Sequence, residues 1–183
     1  MNALCHGDCW ANNFMVRTDP ETQQPLDLRF IDLQMMRFAP IYCDLQYFLY
    51  LNTKRTFRTA HLDTVLRTYM DAFNAHANVS PDLLTFEKFT EDFEETRLCG
   101  ALLAISMLPL GFLGDIAPAD GQELSEENFL TLLGGGSEVS EEKQRKAIRI
   151  FNENEVFKKV MEECIMDLTE QMDKLSCFSN LKL

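Results

Sequence analysis

Positive charge is scarce in this 183-residue sequence: 17 Lys and Arg stand against 29 Asp and Glu, a formal net charge of −12. Nucleic acid and anionic bilayers are held by basic patches, so neither is expected as a partner. No basic segment followed by an apolar core opens the sequence, so no secretory leader is expected. Long apolar runs are missing too. Residues 98–114 are nearly uncharged, but the stretch is shorter than the roughly 20 residues a membrane span requires, and Pro109 interrupts it. A buried core helix is the expectation there. The six cysteines (Cys5, Cys9, Cys43, Cys99, Cys164, Cys177) lack framework spacing, which points to reduced thiols and a cytoplasmic location. Cys5, His6 and Cys9 sit close together, yet no second Cys/His cluster completes a zinc tetrad. Asn78-Val79-Ser80 matches a glycosylation acceptor, a chance match without secretion. There is no internal repeat and no nucleic-acid motif.

What is present is concentrated near the start. His6-Gly7-Asp8-Cys9-Trp10-Ala11-Asn12-Asn13 is followed by Phe30-Ile31-Asp32-Leu33-Gln34. Asp8 can accept the proton of an attacking hydroxyl. Asn13 and Asp32 add two oxygen ligands of the kind a hard Mg²⁺ ion takes. Phosphoryl transfer depends mostly on positioning and charge stabilisation, so this is close to a minimum set. Asn13–Arg17 and Leu26–Ile31 read as strands, and the segment between them, with Pro20 and Pro25, as turn chemistry. If Arg17 lies opposite Leu28, the hairpin sets Asn13 opposite Asp32; a slip of one residue breaks that pairing. Asp44 is placed to cap a helix beginning near Leu45.

Leu4-Cys5-His6-Gly7-Asp8-Cys9-Trp10-Ala11-Asn12-Asn13, with Ile31-Asp32-Leu33-Gln34 running on to Asp44-Leu45-Gln46-Tyr47-Phe48-Leu49, resembles the ecdysteroid kinase-like (CHK kinase-like) family of aminoglycoside phosphotransferase-like kinases. Leu33 stands where that family usually has Phe, a volume-tolerant apolar swap. The resemblance implies that Asp8 is the catalytic base and that Asn13 and Asp32 are ligands of Mg²⁺ and ATP. It implies further that His6 braces the catalytic loop and that Asp44 is a buried carboxylate anchoring it. The implied fold is α+β and mainly helical, the C-terminal lobe of a protein-kinase-like fold with a catalytic-loop β-hairpin. Residues 1–44 would carry the loops and hairpin, and residues 45–183 a helical subdomain. The implied partner is a small-molecule hydroxyl acceptor, a steroid alcohol such as an ecdysteroid among the candidates.

The parts a first lobe supplies, a loop over the phosphates and a strand lysine, have no counterpart here. Gly134-Gly135-Gly136 follows no strand and has no Lys-Ser/Thr pair, so it reads as a linker. The N-terminal lobe is therefore expected to be absent and the chain to be a fragment or shortened product. Such a chain would bind ATP weakly or not at all, without turnover, and would self-associate through its bared face. A non-catalytic, ligand- or partner-binding module is the alternative. Beyond the loops, apolar spacing predicts a helix through Leu62, Val65, Leu66, Tyr69, Met70 and Phe73 that ends near Asn78, before Pro81. Another starts near Phe86, with Phe89 and Phe93 on one face, and runs into the apolar 98–112 stretch. Residues 117–122 read as loop and 123–142 as an acidic, glycine-containing segment. Helices near 141–152 and 155–175 close the chain, the last with a stripe of Val156, Val160, Cys164, Leu168, Met172 and Leu175.

Overall fold

The computed structural model describes residues 1–76, 84–113 and 141–178. Asn78-Val79-Ser80, Pro81, the 117–122 loop, Gly134–Gly136 and most of the acidic segment lie outside the described residues. The architecture is a mainly helical α+β one with small antiparallel ladders. The chain divides into two compact units, Met1–Ala101 and Leu102–Leu183.

Four short strands open the first unit: β1 (Asn2–Cys5), β2 (Phe14–Thr18), β3 (Pro25–Phe30) and β4 (Arg37–Pro40). β2 and β3 form the expected hairpin. Its turn is held by the Asp19 carboxylate, which accepts the N–H groups of Thr22 at 2.8 Å and Glu21 at 2.9 Å. These bonds, Thr22's first, hold the Asp19 carboxyl below its ordinary pKa. β1 pairs with β4, Cys5 lying opposite Arg37 and Asn2 opposite Pro40, a second ladder the sequence pattern does not announce. Each of these strands has four residues, too few for a period of two to stand out.

The hairpin register differs from the expected one by a single residue. Arg17 lies opposite Asp27 and Phe14 opposite Phe30, with an irregularity at Arg17/Thr18. Asn13 therefore meets Ile31, whose N–H donates to the Asn13 carbonyl at 3.0 Å, and not Asp32. A hairpin's register is set at its turn, where Thr18 meets Pro25, the ladder is irregular at Arg17/Thr18 and the Asp19 N–H donates to the Gln24 carbonyl at 2.9 Å. Residues Ala11–Asn13 form a 3-10 turn, so the strand starts one residue late. Asp32 leaves the ladder in a left-handed conformation, φ 59°, which Asp tolerates better than most residues.

Three helices complete the described core of this unit: α1 (Cys43–Asn52), α2 (Arg55–His76) and α3 (Phe86–Glu95). α4 (Arg97–Leu113) follows directly and carries Pro109 within it. The expected continuous run from Phe86 breaks at Thr96. α3 begins at a Thr85 N-cap that accepts the Lys88 N–H at 3.2 Å. Its Phe89 and Phe93 are fully buried. Ile41, Leu45, Leu49, Tyr50, Leu66, Met70 and Leu84 are buried as well. The Tyr69 ring stacks on Phe89, centroids 5.7 Å apart, and its hydroxyl donates to the Ile41 carbonyl at 3.0 Å. Gln46 donates to the Phe93 carbonyl at 2.8 Å, tying α1 to the end of α3.

In the second unit, α5 (Glu141–Glu153) and α6 (Glu155–Phe178) pack together, with Phe151 edge-on to Phe157. The Asn154 side chain accepts the Phe157 N–H at 3.0 Å between them. The expected stripe on α6 is rotated. Phe157, Cys164, Asp167 and Gln171 are buried, whereas Val156, Met172 and Leu175 are exposed. Choosing positions by apolar identity passed over Asp167 and Gln171, polar residues that share the buried arc. Among the described residues no helix is long and apolar enough to cross a membrane.

Candidate active site

The loop from His6 to Asn13 runs from the end of β1 to the start of β2. Gly7 makes its sharp bend at φ +86°, where an added Cβ would collide with the Met35 carbonyl oxygen and crowd the Arg37 guanidinium. The loop thus crosses the turn after Asp32 at van der Waals contact, and only glycine fits. Arg37 reinforces the crossing, its Nη1 donating to the carbonyls of Gly7 (3.3 Å) and Met35 (3.4 Å).

Asp44 holds the loop's first bend. Its carboxylate accepts the His6 N–H at 2.7 Å and the Gly7 N–H at 2.9 Å. The expectation that Asp44 caps its own helix is corrected here. α1 begins at Cys43, Tyr42 occupies the N-cap position, and no side chain caps it. Asp44 lies in the first turn, and its oxygens turn to backbone donors 37 and 38 residues away in sequence. Charge-assisted bonds to two otherwise orphaned N–H groups are among the stronger local ties a protein makes.

His6 bridges the two signature segments. Its Nε2 lies 2.9 Å from the Ile31 carbonyl, and its Nδ1 accepts the Asp8 N–H at 3.3 Å. Those partners set the tautomer: Nε2 carries the proton. Ile31 is consequently fastened at both backbone groups, its C=O by His6 and its N–H by Asn13. Asp32 begins from that fixed point.

Asn13 is buried, and its Nδ2 donates to the Asp8 carbonyl at 2.9 Å and the Asp8 carboxylate at 2.8 Å. Both contacts are acceptors, so the amide's orientation is determined. Its Oδ1 accepts no hydrogen bond from the described residues. Asp32 is exposed, and its carboxylate receives one long contact, 3.5 Å, from Gln34. An amide oxygen and a carboxylate are donor types that a hard divalent cation takes. Among the described residues no group of three His, Cys, Asp or Glu forms a metal cluster.

Sequence reasoning passed over several residues that shape the site: Gly7, Arg37, Tyr47 and Asn52. Burial first, with the Asp8 carboxylate adding to it, pushes the Tyr47 phenol far above its ordinary value. Asn52 accepts the Ala11 N–H at 2.7 Å. The available signal was periodicity. Asp44, Tyr47, Phe48 and Asn52 recur at helical spacing, so one face of α1 meets the loop, with Phe48 against the Phe14 ring at 5.6 Å. Cys9 is also buried here, and its thiol is pushed up to about 12 by burial, with the Asp44 and Asp8 carboxylates adding to it.

Beside the loop lies a pocket of about 510 Å³, its walls largely apolar, including Leu4, Phe14, Phe30, Met36 and Phe48. His6 and Asp44 reach it, but Asp8, Asn13 and Asp32 do not line it.

No curated protein and no solved structure matches the chain. The loop, the hairpin and the α1 face that grips them all fall within residues 1–79, which match the model of the ecdysteroid kinase-like family. Over that segment the chain is similar to the ecdysteroid kinase-like family.

Proposed function

We propose that this chain serves an ATP-dependent phosphotransferase that acts on a hydroxyl of a small molecule, a steroid alcohol such as an ecdysteroid being the acceptor class the family name points to. Asp8 accepts the hydroxyl proton as the acceptor oxygen attacks. Asn13 Nδ2 holds the Asp8 carboxylate, and Asn13 Oδ1 and Asp32 are the oxygens offered to Mg²⁺. When bound, Mg²⁺·ATP supplies the phosphoryl group and the cationic charge that stabilises its transfer. His6 and Asp44 act on geometry alone, fixing the loop and the start of Asp32. In this proposal residues 1–183 work as the second lobe, and the adenine slot and phosphate-pairing lysine belong to a first lobe. The location is cytoplasmic.

The observation that carries the proposal is the double fastening of Ile31. Hydrogen bonds of 2.9 Å to His6 and 3.0 Å to Asn13 join the segment bearing Asp32 to the loop bearing Asp8. The Asn13 bond extends the β2–β3 ladder by one step, and the His6 ring adds a side-chain tie to the same residue. The test is transfer of a labelled terminal phosphoryl from ATP to a panel of steroid alcohols, run with both lobes present. Asp8→Ala should lose on the order of 10²–10⁴-fold in turnover, the usual size of a general-base contribution. Near-normal turnover in that variant would remove Asp8 from the role.

A further inference from the structure

α1 holds the His6–Asn13 loop at two places. Near its start, Asp44 accepts the N–H groups of His6 and Gly7; at its last residue, Asn52 Oδ1 accepts the Ala11 N–H at 2.7 Å. The Asp44 bonds fix the entry to the loop. The Asn52 bond fixes its exit, because Ala11 opens the 3-10 turn Ala11–Asn13. We propose that Asn52 is a positioning residue for Asp8 that acts through Asn13: it anchors the turn carrying Asn13, whose Nδ2 holds the Asp8 carboxylate at 2.8 Å and the Asp8 carbonyl at 2.9 Å. The proposal rests on the reading of Asp8 as the base.

The first N–H of a helical turn finds no acceptor within the turn, and Trp10, in the N-cap position, offers it no side-chain bond. Asn52 supplies that acceptor from another element. The far end of the turn is pinned separately, since the Asn13 carbonyl accepts the Ile31 N–H at 3.0 Å. Held at both ends, the turn gives the Asn13 side chain a fixed starting point from which to reach Asp8. The Asn52 amide has one orientation available: its Nδ2 donates to the Phe48 carbonyl at 2.8 Å, one turn back on α1, which leaves Oδ1 for Ala11. The Asn52–Ala11 bond is exposed, so water can replace it on the Ala11 N–H with little change in stability. Water is not tied to α1, however. Removing Asn52 therefore acts on the placement of Asn13 and Asp8 more than on the fold.

Two measurements test the assignment, both on the protein with both lobes present. In the isotopically labelled protein, Asn52→Ala should move the Asn13 Nδ2 signal and speed exchange of the Ala11 amide proton, with the thermal midpoint within about 2 °C of the parent. Asn52→Asp, which keeps an accepting oxygen, should return both signals toward the parent. An unmoved Asn13 signal in Asn52→Ala would overturn the link between the two residues. A larger fall in midpoint would make Asn52 a support of the fold and overturn the positioning role. In the transfer assay with steroid alcohols, Asn52→Ala should lower kcat roughly 3- to 10-fold, the kinetic equivalent of one neutral hydrogen bond. KM for the acceptor should stay unchanged, and Asn52→Asp should recover the rate. Added to Asn13→Ala, Asn52→Ala should lose nothing further, since it acts through Asn13. Multiplicative losses, or an effect confined to KM, would overturn the role. Should Asp8→Ala retain turnover while the Asn13 signal still moves in Asn52→Ala, the base assignment fails and takes the positioning role with it, but the hold of Asn52 on Asn13 stands.

Discussion

At the scale of single residues, the site depends on a few positions where no other side chain fits. Gly7 is one. Positive φ alone costs an L side chain about 1–2 kcal/mol, and the collision with the Met35 carbonyl adds to it. Gly7→Ala should therefore lower the free energy of unfolding by at least about 2 kcal/mol in urea titrations. A change below about 0.5 kcal/mol, the size of an ordinary surface substitution, would mean the loop does not cross the turn as described. Buried titrating groups near the loop make a second prediction. The Cys9 thiol rises from 9.0 to about 12 and the Tyr69 phenol from 10.0 to about 12, both chiefly through burial. The folded state holds these protons more tightly than the unfolded chain does, so their stabilisation is intact below pH 9 and drains away as pH climbs toward 12. The urea midpoint should fall through that window, more shallowly in Cys9→Ala than in the unsubstituted chain. A flat midpoint would place these groups in water.

Elements were legible in the sequence where their apolar rhythm was long, as in α2 and α3, and illegible where it was short or mixed. The β2–β3 hairpin announced itself through turn residues, but its register did not. The register was set at the turn, where the ladder is irregular at Arg17/Thr18 and Thr18 meets Pro25, and that irregularity leaves no mark on composition. Asp8, Asn13, Asp32, His6 and Asp44 were readable as a motif. What His6 and Asp44 touch was not, because those partners are backbone groups 25 to 38 positions away. Helix packing gives its own test. An added Cβ on Gly100, in α4, would press on the Tyr50 ring and sit 2.7 Å from Gln46 Oε1, both on α1. Gly100→Ala should cost about 1–3 kcal/mol, as overpacked cores do. It should also weaken α1's hold on the His6–Asn13 loop, seen as faster amide exchange at His6 and Gly7. Unchanged stability would show that the α1–α4 contact is looser than the distances imply.

For the whole molecule, the first unit places a large apolar surface in water beside an acidic exterior. Leu4 is 67% exposed and Phe38 74%, and Val16, Leu28, Phe30 and Leu33 are exposed with them. Surfaces of this kind bind apolar dyes and promote association. The purified chain should therefore enhance the fluorescence of an anilinonaphthalene dye and show concentration-dependent mass in light scattering; a dye-silent, monodisperse monomer would contradict this. The net charge of −12 raises a sharper question, because 29 acidic residues give a divalent cation many weak places to bind. A phosphotransferase site must stand out from that background. Mn²⁺ with ATP, added to the isotopically labelled protein with both lobes present and followed by paramagnetic broadening, separates the two. The signals of Asn13 and Asp32 should broaden first and at the lowest Mn²⁺, and Asp32→Ala should abolish that early broadening with the fold intact. Broadening spread evenly over the acidic surface, with Asn13 and Asp32 no earlier than the rest, would contradict the assignment of a Mg²⁺·ATP site to these loops.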